Sequence, residues 1–209
     1  MDDKKDMLYL ALIALLAFTV LGGPLAVRMY TQGSTIMQDE PYYHSRISQE
    51  IIEKGFPERD TMVIGGRPYM PEPYHAVLAS FGKLISVDLA SKLLPVIGGV
   101  LAIALFYSLL KRLGASLEPR TAACLLLLLT PAFIYTFTVS NSHAVALPLI
   151  LLAFLLYLQK NRYAYLLSVL LFTLSSVFGL IPLVSSILLL LSYMWHRRSE
   201  ASDLGLIVM

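Results

Sequence analysis

Asp39 and Glu40 are neighbouring carboxylates followed by Pro41, Tyr42, Tyr43 and Arg46, in a chain otherwise dominated by apolar residues. Two acids at the mouth of a hydrophobic protein suit work on a cation, a metal or a proton. A structural role competes for the same residues. Pro41 fits the first position of a helix, which puts Glu40 at or near the N-cap and Asp39 just before it. Acids there favour the helix by about 0.3–1 kcal/mol through capping and the macrodipole. One acid would serve that purpose, as would Ser or Thr, so the doubled acid leaves a chemical role open beside the structural one.

The elements around the pair are legible in outline. After the acids, Tyr43, Ile47, Ile51 and Ile52 recur at the spacing of one helical face, while Arg46, Gln49, Glu50, Glu53 and Lys54 fill the other. Gly55 ends this amphipathic helix, which predicts a segment lying at a membrane surface. "FPERDTMVIGGRPYMPEPYH" then reads as a Gly- and Pro-rich strap of turns. "PYHAVLASFGKLISV", Pro73 to Val87, is apolar but short, and it carries His75 and Lys83.

Composition sets the class. The 209 residues are 57% apolar and 14% charged, with mean hydropathy +0.70, whereas a soluble domain carries about a quarter charged residues. The apolar residues come in long runs, the mark of membrane spans. A net charge of +2 without a basic tract argues against nucleic acid. The single cysteine, Cys124, excludes a disulfide framework. The run Met7–Val27 is 21 residues long, longer than the ~7–15 of a cleavable signal core, so it reads as a retained first span.

Further runs cover Leu89–Leu110, Thr121–Val139, Ala144–Leu158, Tyr163–Phe178 and Leu180–Trp195. "KRLGASLEPR", "QKNR" and "HRR" carry the Lys/Arg pairs, and all three face the cytoplasm only if Pro73–Val87 does not cross. That segment then lies at the outer interface, with Lys83 reaching water. The predicted fold is an all-α membrane protein of about six transmembrane helices with a large first extracytoplasmic loop containing interfacial helices. The boundaries are a cytoplasmic tail over 1–6, a first span over 7–27, the loop over 28–88, five more spans over 89–198, and over 199–209 the start of a further segment, read as truncated.

"QDEPYYHSRISQEIIEKG" resembles the first outer loop of the GT-C superfamily of membrane glycosyltransferases, in which an acidic pair after the first span opens a helix of the form D-E-x-x-Y or D-E/D-P-x-Y-x-x-x-R, the latter with one residue more before its arginine than stands here. The matching residues are Asp39, Glu40, Pro41, Tyr42, Tyr43 and Arg46. "GGRPYMPEPYHAVLAS" is similar to the family's next landmark, and "LLPVIGGVLAIALFYSLLKRLG" and "LTPAFIYTFTVSNSHAVALPLILLAFLLYLQKNR" resemble its following spans. Glu40-Pro41-Tyr42 and Arg46 also resemble the catalytic subunit of oligosaccharyltransferases. That subfamily has a second acidic motif where this chain reads Ser140-Asn141-Ser142-His143, and a soluble C-terminal domain with no counterpart in these 209 residues. The departures favour relatives that transfer one sugar, of the mannosyltransferase or aminoarabinose-transferase kind.

The resemblance implies transfer of a sugar from a polyprenyl-phosphate donor to an unidentified acceptor on the outer or lumenal face of a cell or endoplasmic-reticulum membrane. It implies Asp39 as general base and Glu40 orienting it or binding metal. Mutual repulsion raises the apparent pKa of such a pair, which suits a base working near neutral pH. Arg46, Arg67, His75 and His143 are candidates for the phosphate or sugar, Tyr42 and Tyr43 for stacking on sugar, and Asn141 for a hydrogen bond or a ligand bond. Asp39, Glu40 and His143 are the candidate ligands of a divalent ion, Mg or Mn. Most have plainer readings: Arg46 on a solvated helix face, His75 as an interfacial polar residue, His143 as a cap, and Tyr42 and Tyr43 as membrane-interface anchors. His44 reads as a surface residue, and His196 belongs to the basic cluster. The alternative functions are a non-catalytic scaffold or lipid-binding module, and an incomplete oligosaccharyltransferase. A transporter is disfavoured, because apart from Lys92 the span interiors carry no ionisable group.

Overall fold

A computed structural model describes residues 2–32, 39–60, 62–159 and 161–177, with 184, 187, 188 and 191; the side chains of 2, 3, 32, 39–41, 162 and 176 lie outside that description. Among the described residues there are eight helices: α1 (Asp2–Gln32), α2 (Asp39–Lys54), α3 (Pro73–Gly82), α4 (Val87–Arg112), α5 (Leu117–Leu129), α6 (Pro131–Thr138), α7 (His143–Tyr157) and α8 (Arg162–Ser176). Between α2 and α3 the strap forms a small antiparallel hairpin of β1 (Arg59–Asp60) and β2 (Arg67–Pro68). Gly65 and Gly66 turn it with positive φ.

Helix α4 is the axis of the bundle and packs against α1, α2, α3, α5, α6 and α7. Its contacts with α1 fix their relative direction. Asp6 meets Tyr107 and Lys111, while Gly22 lies against Val96, so the two helices run antiparallel. The main core gathers Ile13, Ala17 and Leu21 of α1, Val96, Ala102, Ile103 and Tyr107 of α4, Cys124 and Leu128 of α5, Phe133 and Phe137 of α6, and Ala144 of α7. Close approach at its centre depends on two glycines. A Cβ on Gly98 would collide with the Ala144 carbonyl oxygen, and one on Gly99 would collide with Leu21 and with the Phe137 Cβ at 2.8 Å.

Outward faces are as apolar as the core. Leu8, Leu12 and Leu15 of α1 are exposed, as are Leu166, Leu170 and Leu174 of α8. Residues so spaced form stripes that a water-soluble protein would cover. Two helices, Lys4–Thr31 and Val87–Arg112, are long and apolar enough to cross a membrane. The expected span Thr121–Val139 is instead two helices, α5 and α6, bent by 64° at Thr130–Pro131; counted as one broken span, it makes a third. Pro131 cannot donate to the helical ladder, and Thr130 starts the next helix by accepting from Phe133 N at 3.4 Å. Helices α7 and α8 are apolar but shorter. The run Leu180–Trp195 and the segment 199–209 fall largely or wholly outside the described residues.

The two ends of the bundle differ in chemistry. At one end, Asp6 accepts from Tyr107, Lys111 and Arg120, and the Arg120 guanidinium stacks 4.4 Å from the Tyr107 ring centre. At the other end lie α2, α3, the hairpin and the turn before α7. Pro73–Val87, expected as one interfacial segment, is helical only through Gly82; Val87 already begins α4.

Candidate functional site

Helices α2 and α3 lie side by side and run in the same direction, with His44 beside His75 and Ile52 against Gly82. Ile47 and Ser48 of α2 are fully buried, and Ser48 Oγ donates to the His75 carbonyl oxygen at 3.2 Å. His44 belongs to this buried face and is only 5% exposed, which corrects its reading as a surface residue. The reason is periodicity: 44, 47, 48, 51 and 52 form an i, i+3, i+4, i+7, i+8 stripe. Helix α2 ends where Gly55 adopts positive φ and its N–H reaches Ile51 O at 3.0 Å, as the sequence leads one to expect. Its start differs, since Asp39 and Glu40 lie within the first described turn rather than at a cap before Pro41.

Three polar centres line this end. In the first, the His44 Nδ1 and His75 Nε2 atoms are 2.8 Å apart, and Glu72 Oε2 is 3.8 Å from the former and 3.6 Å from the latter. Tyr69 Oη sits 2.8 Å from His75 Nδ1, on the far side of the ring. His75 is 1% exposed. Burial, and then the neighbouring His44, push its pKa down to about 4 against a small opposing pull from Asp60, so the imidazole is neutral at physiological pH. Burial also raises the Tyr69 phenol above its ordinary value.

The second centre is Asp60, 1% exposed at the end of β1. Its Oδ1 accepts from Met62 N at 3.1 Å, and its Oδ2 accepts from both Tyr43 Oη and Arg67 Nε, each at 3.1 Å. Arg67 itself is largely exposed. Burial raises the Tyr43 phenol, which stays protonated and keeps donating. The Tyr43 ring also meets the His44 and His75 rings edge-on, with centroids 5.7 and 5.6 Å apart. In the third centre, Tyr74 Oη and Ser140 Oγ are 2.6 Å apart, tying α3 to the turn before α7.

The residues expected to act on substrate are thus distributed over several places. Tyr43, Arg67 and His75 come together here. Tyr42 and Arg46 share a separate groove of about 230 Å³ with Ser45, Gln49, Val87 and Asp88. Asn141 is buried and its amide is committed to the backbone: Nδ2 donates to Thr136 O and Val139 O, and Oδ1 accepts from Ala144 N. That makes it the residue that closes α6 and opens α7. His143 is exposed on the first turn of α7. The side chains of Asp39 and Glu40 lie outside the described residues, and with them the expected Asp39–Glu40–His143 ion site. None of His44, Asp60, Tyr69 and Glu72 is among the site residues expected from the sequence. Of these, Glu72 had a signal, its i, i+3 spacing to His75.

Beside this end an apolar groove of about 370 Å³ runs between α1 and α4, lined by Phe18, Gly22, Gly23, Ala26 and Met29 on one wall and Leu93 and Val96 on the other. No family model, curated protein or solved structure matches this chain.

Proposed function

We propose that this protein is an integral membrane glycosyltransferase of the GT-C type that moves a sugar from a polyprenyl-phosphate donor to an acceptor on the extracytoplasmic face. On this reading the chain crosses the membrane six times, with residues 28–88 outside. The observation that carries the proposal is the apolar groove between α1 and α4. Its α1 wall reaches Met29, one turn before the helix ends at Gln32. Seven residue steps later α2 opens with Asp39 and Glu40, so the acids stand no more than about 25 Å from the helix end. A lipid tail in the groove would bring its phosphate and sugar toward that acidic helix start.

The chemistry is displacement at the anomeric carbon. The acceptor oxygen forms a bond to that carbon while the carbon–oxygen bond to phosphate breaks, and polyprenyl phosphate leaves with the electron pair. Asp39 takes the acceptor's proton, and Glu40 orients it. Arg46, on the same helix and exposed in its own groove, is suited to the leaving phosphate.

The test is donor turnover, which does not require the acceptor to be known in advance. Purified protein in proteoliposomes is given radiolabelled polyprenyl-phosphate hexoses and aminopentoses with a membrane extract as acceptor source, and released polyprenyl phosphate is counted. Asp39→Asn should lower turnover by about 10²–10⁴-fold at unchanged abundance and gel-filtration behaviour. If Asp39→Asn and Glu40→Gln both turn over donor at the unsubstituted rate, the reading fails and a scaffold or lipid-binding role replaces it.

A further inference from the structure

His44, Glu72 and His75 make a close set whose geometry hydrogen bonding alone does not account for. The two imidazoles are 2.8 Å apart, a hydrogen-bond distance. Glu72 Oε2 faces both ring nitrogens yet stands 3.6 and 3.8 Å away, too far for a hydrogen bond to either. A carboxylate recruited only to hold a buried imidazole would close to about 2.7–2.9 Å. Nor does Glu72 act as a helix cap, although it occupies the N-cap position of α3: its side chain makes no capping bond there. It is turned toward two nitrogens it does not reach.

We propose that His44 Nδ1, His75 Nε2 and Glu72 Oε2 bind a transition-metal ion of the zinc class. At metal–ligand lengths of about 2.0–2.1 Å, the ligand atoms of a tetrahedral site lie about 3.3–3.4 Å apart. The observed separations of 2.8, 3.6 and 3.8 Å straddle that value, so opening the imidazole pair by about half an ångström and drawing in the carboxylate would complete it. The donor set also selects the ion class. Two imidazoles and one carboxylate suit Zn, Co, Ni or Fe, whereas Mg or Mn prefer oxygen donors. Glu72 and His75 are spaced i, i+3, a separation that lets a carboxylate and an imidazole reach one ion. Tyr69 Oη, 2.8 Å from His75 Nδ1, holds the ring with its other nitrogen turned inward. Three protein ligands leave a fourth position for water or a substrate oxygen, the arrangement of a catalytic rather than a purely structural ion. This site stands on its own geometry and does not require the glycosyl-transfer reading.

The experiment uses purified full-length protein carrying no polyhistidine tag, stripped with chelator and titrated with Co²⁺. The expected result is one Co²⁺ per chain by elemental analysis, with visible ligand-field bands that Zn²⁺ abolishes by displacement. His75→Asn should remove the bands, and Glu72→Gln, a partly exposed change with little risk to folding, should weaken Co²⁺ affinity at least tenfold. His143→Ala, which removes an exposed imidazole, should leave the spectrum unchanged. Circular dichroism and gel filtration accompany each variant, and if His75→Asn misfolds, Glu72→Gln decides. A stripped protein that takes up no stoichiometric Co²⁺, a Glu72→Gln variant that binds as well as the unsubstituted chain, or bands lost with His143→Ala would each overturn the proposal.

Discussion

Asp60→Asn should loosen the end of the bundle that carries α2 and α3, and its size follows from the hydrogen bonds of one carboxylate. Oδ1 serves Met62 N, and Oδ2 serves Tyr43 Oη and Arg67 Nε together. Asparagine fills the same volume but offers one acceptor and one donor. If its oxygen stays with Met62, its NH₂ faces Tyr43 and Arg67. The tyrosine hydroxyl can turn and accept, while the exposed guanidinium swings to water. What is lost is the charge assistance of the two remaining bonds, about 1–4 kcal/mol in all when ionic bonds contribute about 1.5–3 and neutral ones about 1. For a chain of this size that corresponds to a fall in Tm of about 2–16 °C. Thermal unfolding in detergent measures it, with Tyr43→Phe and the double variant completing a cycle. Because Tyr43 and Asp60 share a bond, the double variant should lose less than the two singles added, by about 0.5–1.5 kcal/mol. An Asp60→Asn protein melting within 1 °C of the unsubstituted one (roughly 0.3 kcal/mol on the same scale), or strictly additive singles, would refute the assignment of Asp60 as the anchor of Tyr43.

Two further outcomes follow from the bundle itself. Gly98→Ala should separate α4 from α7, because its Cβ meets the rigid backbone oxygen of Ala144; the expected loss is about 1–3 kcal/mol, read as a lower Tm in the same detergent. Asp6→Ala strands the buried Arg120 guanidinium, whose Nε has no hydrogen-bond partner among the described residues, and should cost about 3 kcal/mol. Lys111→Ala removes an exposed partner of the same carboxylate and should cost under about 1 kcal/mol. Equal effects from the two would contradict the burial that separates them.

The sequence carried the framework further than the site, for physical reasons visible in particular residues. Long apolar runs mark α1 and α4 whatever they pack against, and Gly55 stops α2 through its own backbone freedom. The bend at Thr130–Pro131 is invisible to hydropathy, which is blind to a missing N–H; its signal is Pro131 itself, a proline inside an apolar run where a kink is expected. His44 was hidden by a choice of stripe: starting the apolar face at Tyr43 leaves the next residue outside it, although 44 is in register with 47, 48 and 51. Asp60 could not be read at all. It sits in "PERD", which looks solvated, and is buried only because the hairpin brings Arg67 to it and α2 brings Tyr43. Asn141 shows the converse. A polar residue at a predicted span end invites a ligand role, but the break between α6 and α7 leaves carbonyls and an N–H that need partners, and its amide supplies them.

Tyr69 offers a way to separate a metal centre from a hydrogen-bonded knot. If His75 Nε2 binds an ion, that nitrogen carries no proton, so the ring proton must sit on Nδ1 and donate to Tyr69 Oη at 2.8 Å. Tyr69→Phe keeps the ring and its packing but removes the acceptor. The proton on Nδ1 then lacks its partner in a nearly closed site, and the tautomer that presents Nε2 to the ion is disfavoured. Co²⁺ affinity should fall about 10–100-fold, the usual effect of deleting an outer hydrogen bond to a ligating imidazole, while the Tm of the metal-free protein falls by no more than one neutral hydrogen bond allows, about 1 kcal/mol. In a knot without metal the two readouts are not separable: Co²⁺ binding is absent throughout, and the substitution registers only in stability. A Tyr69→Phe protein that binds Co²⁺ with undiminished affinity would show that the phenol does not set the tautomer of His75, and Glu72 and His44 would then have to orient the ion unaided.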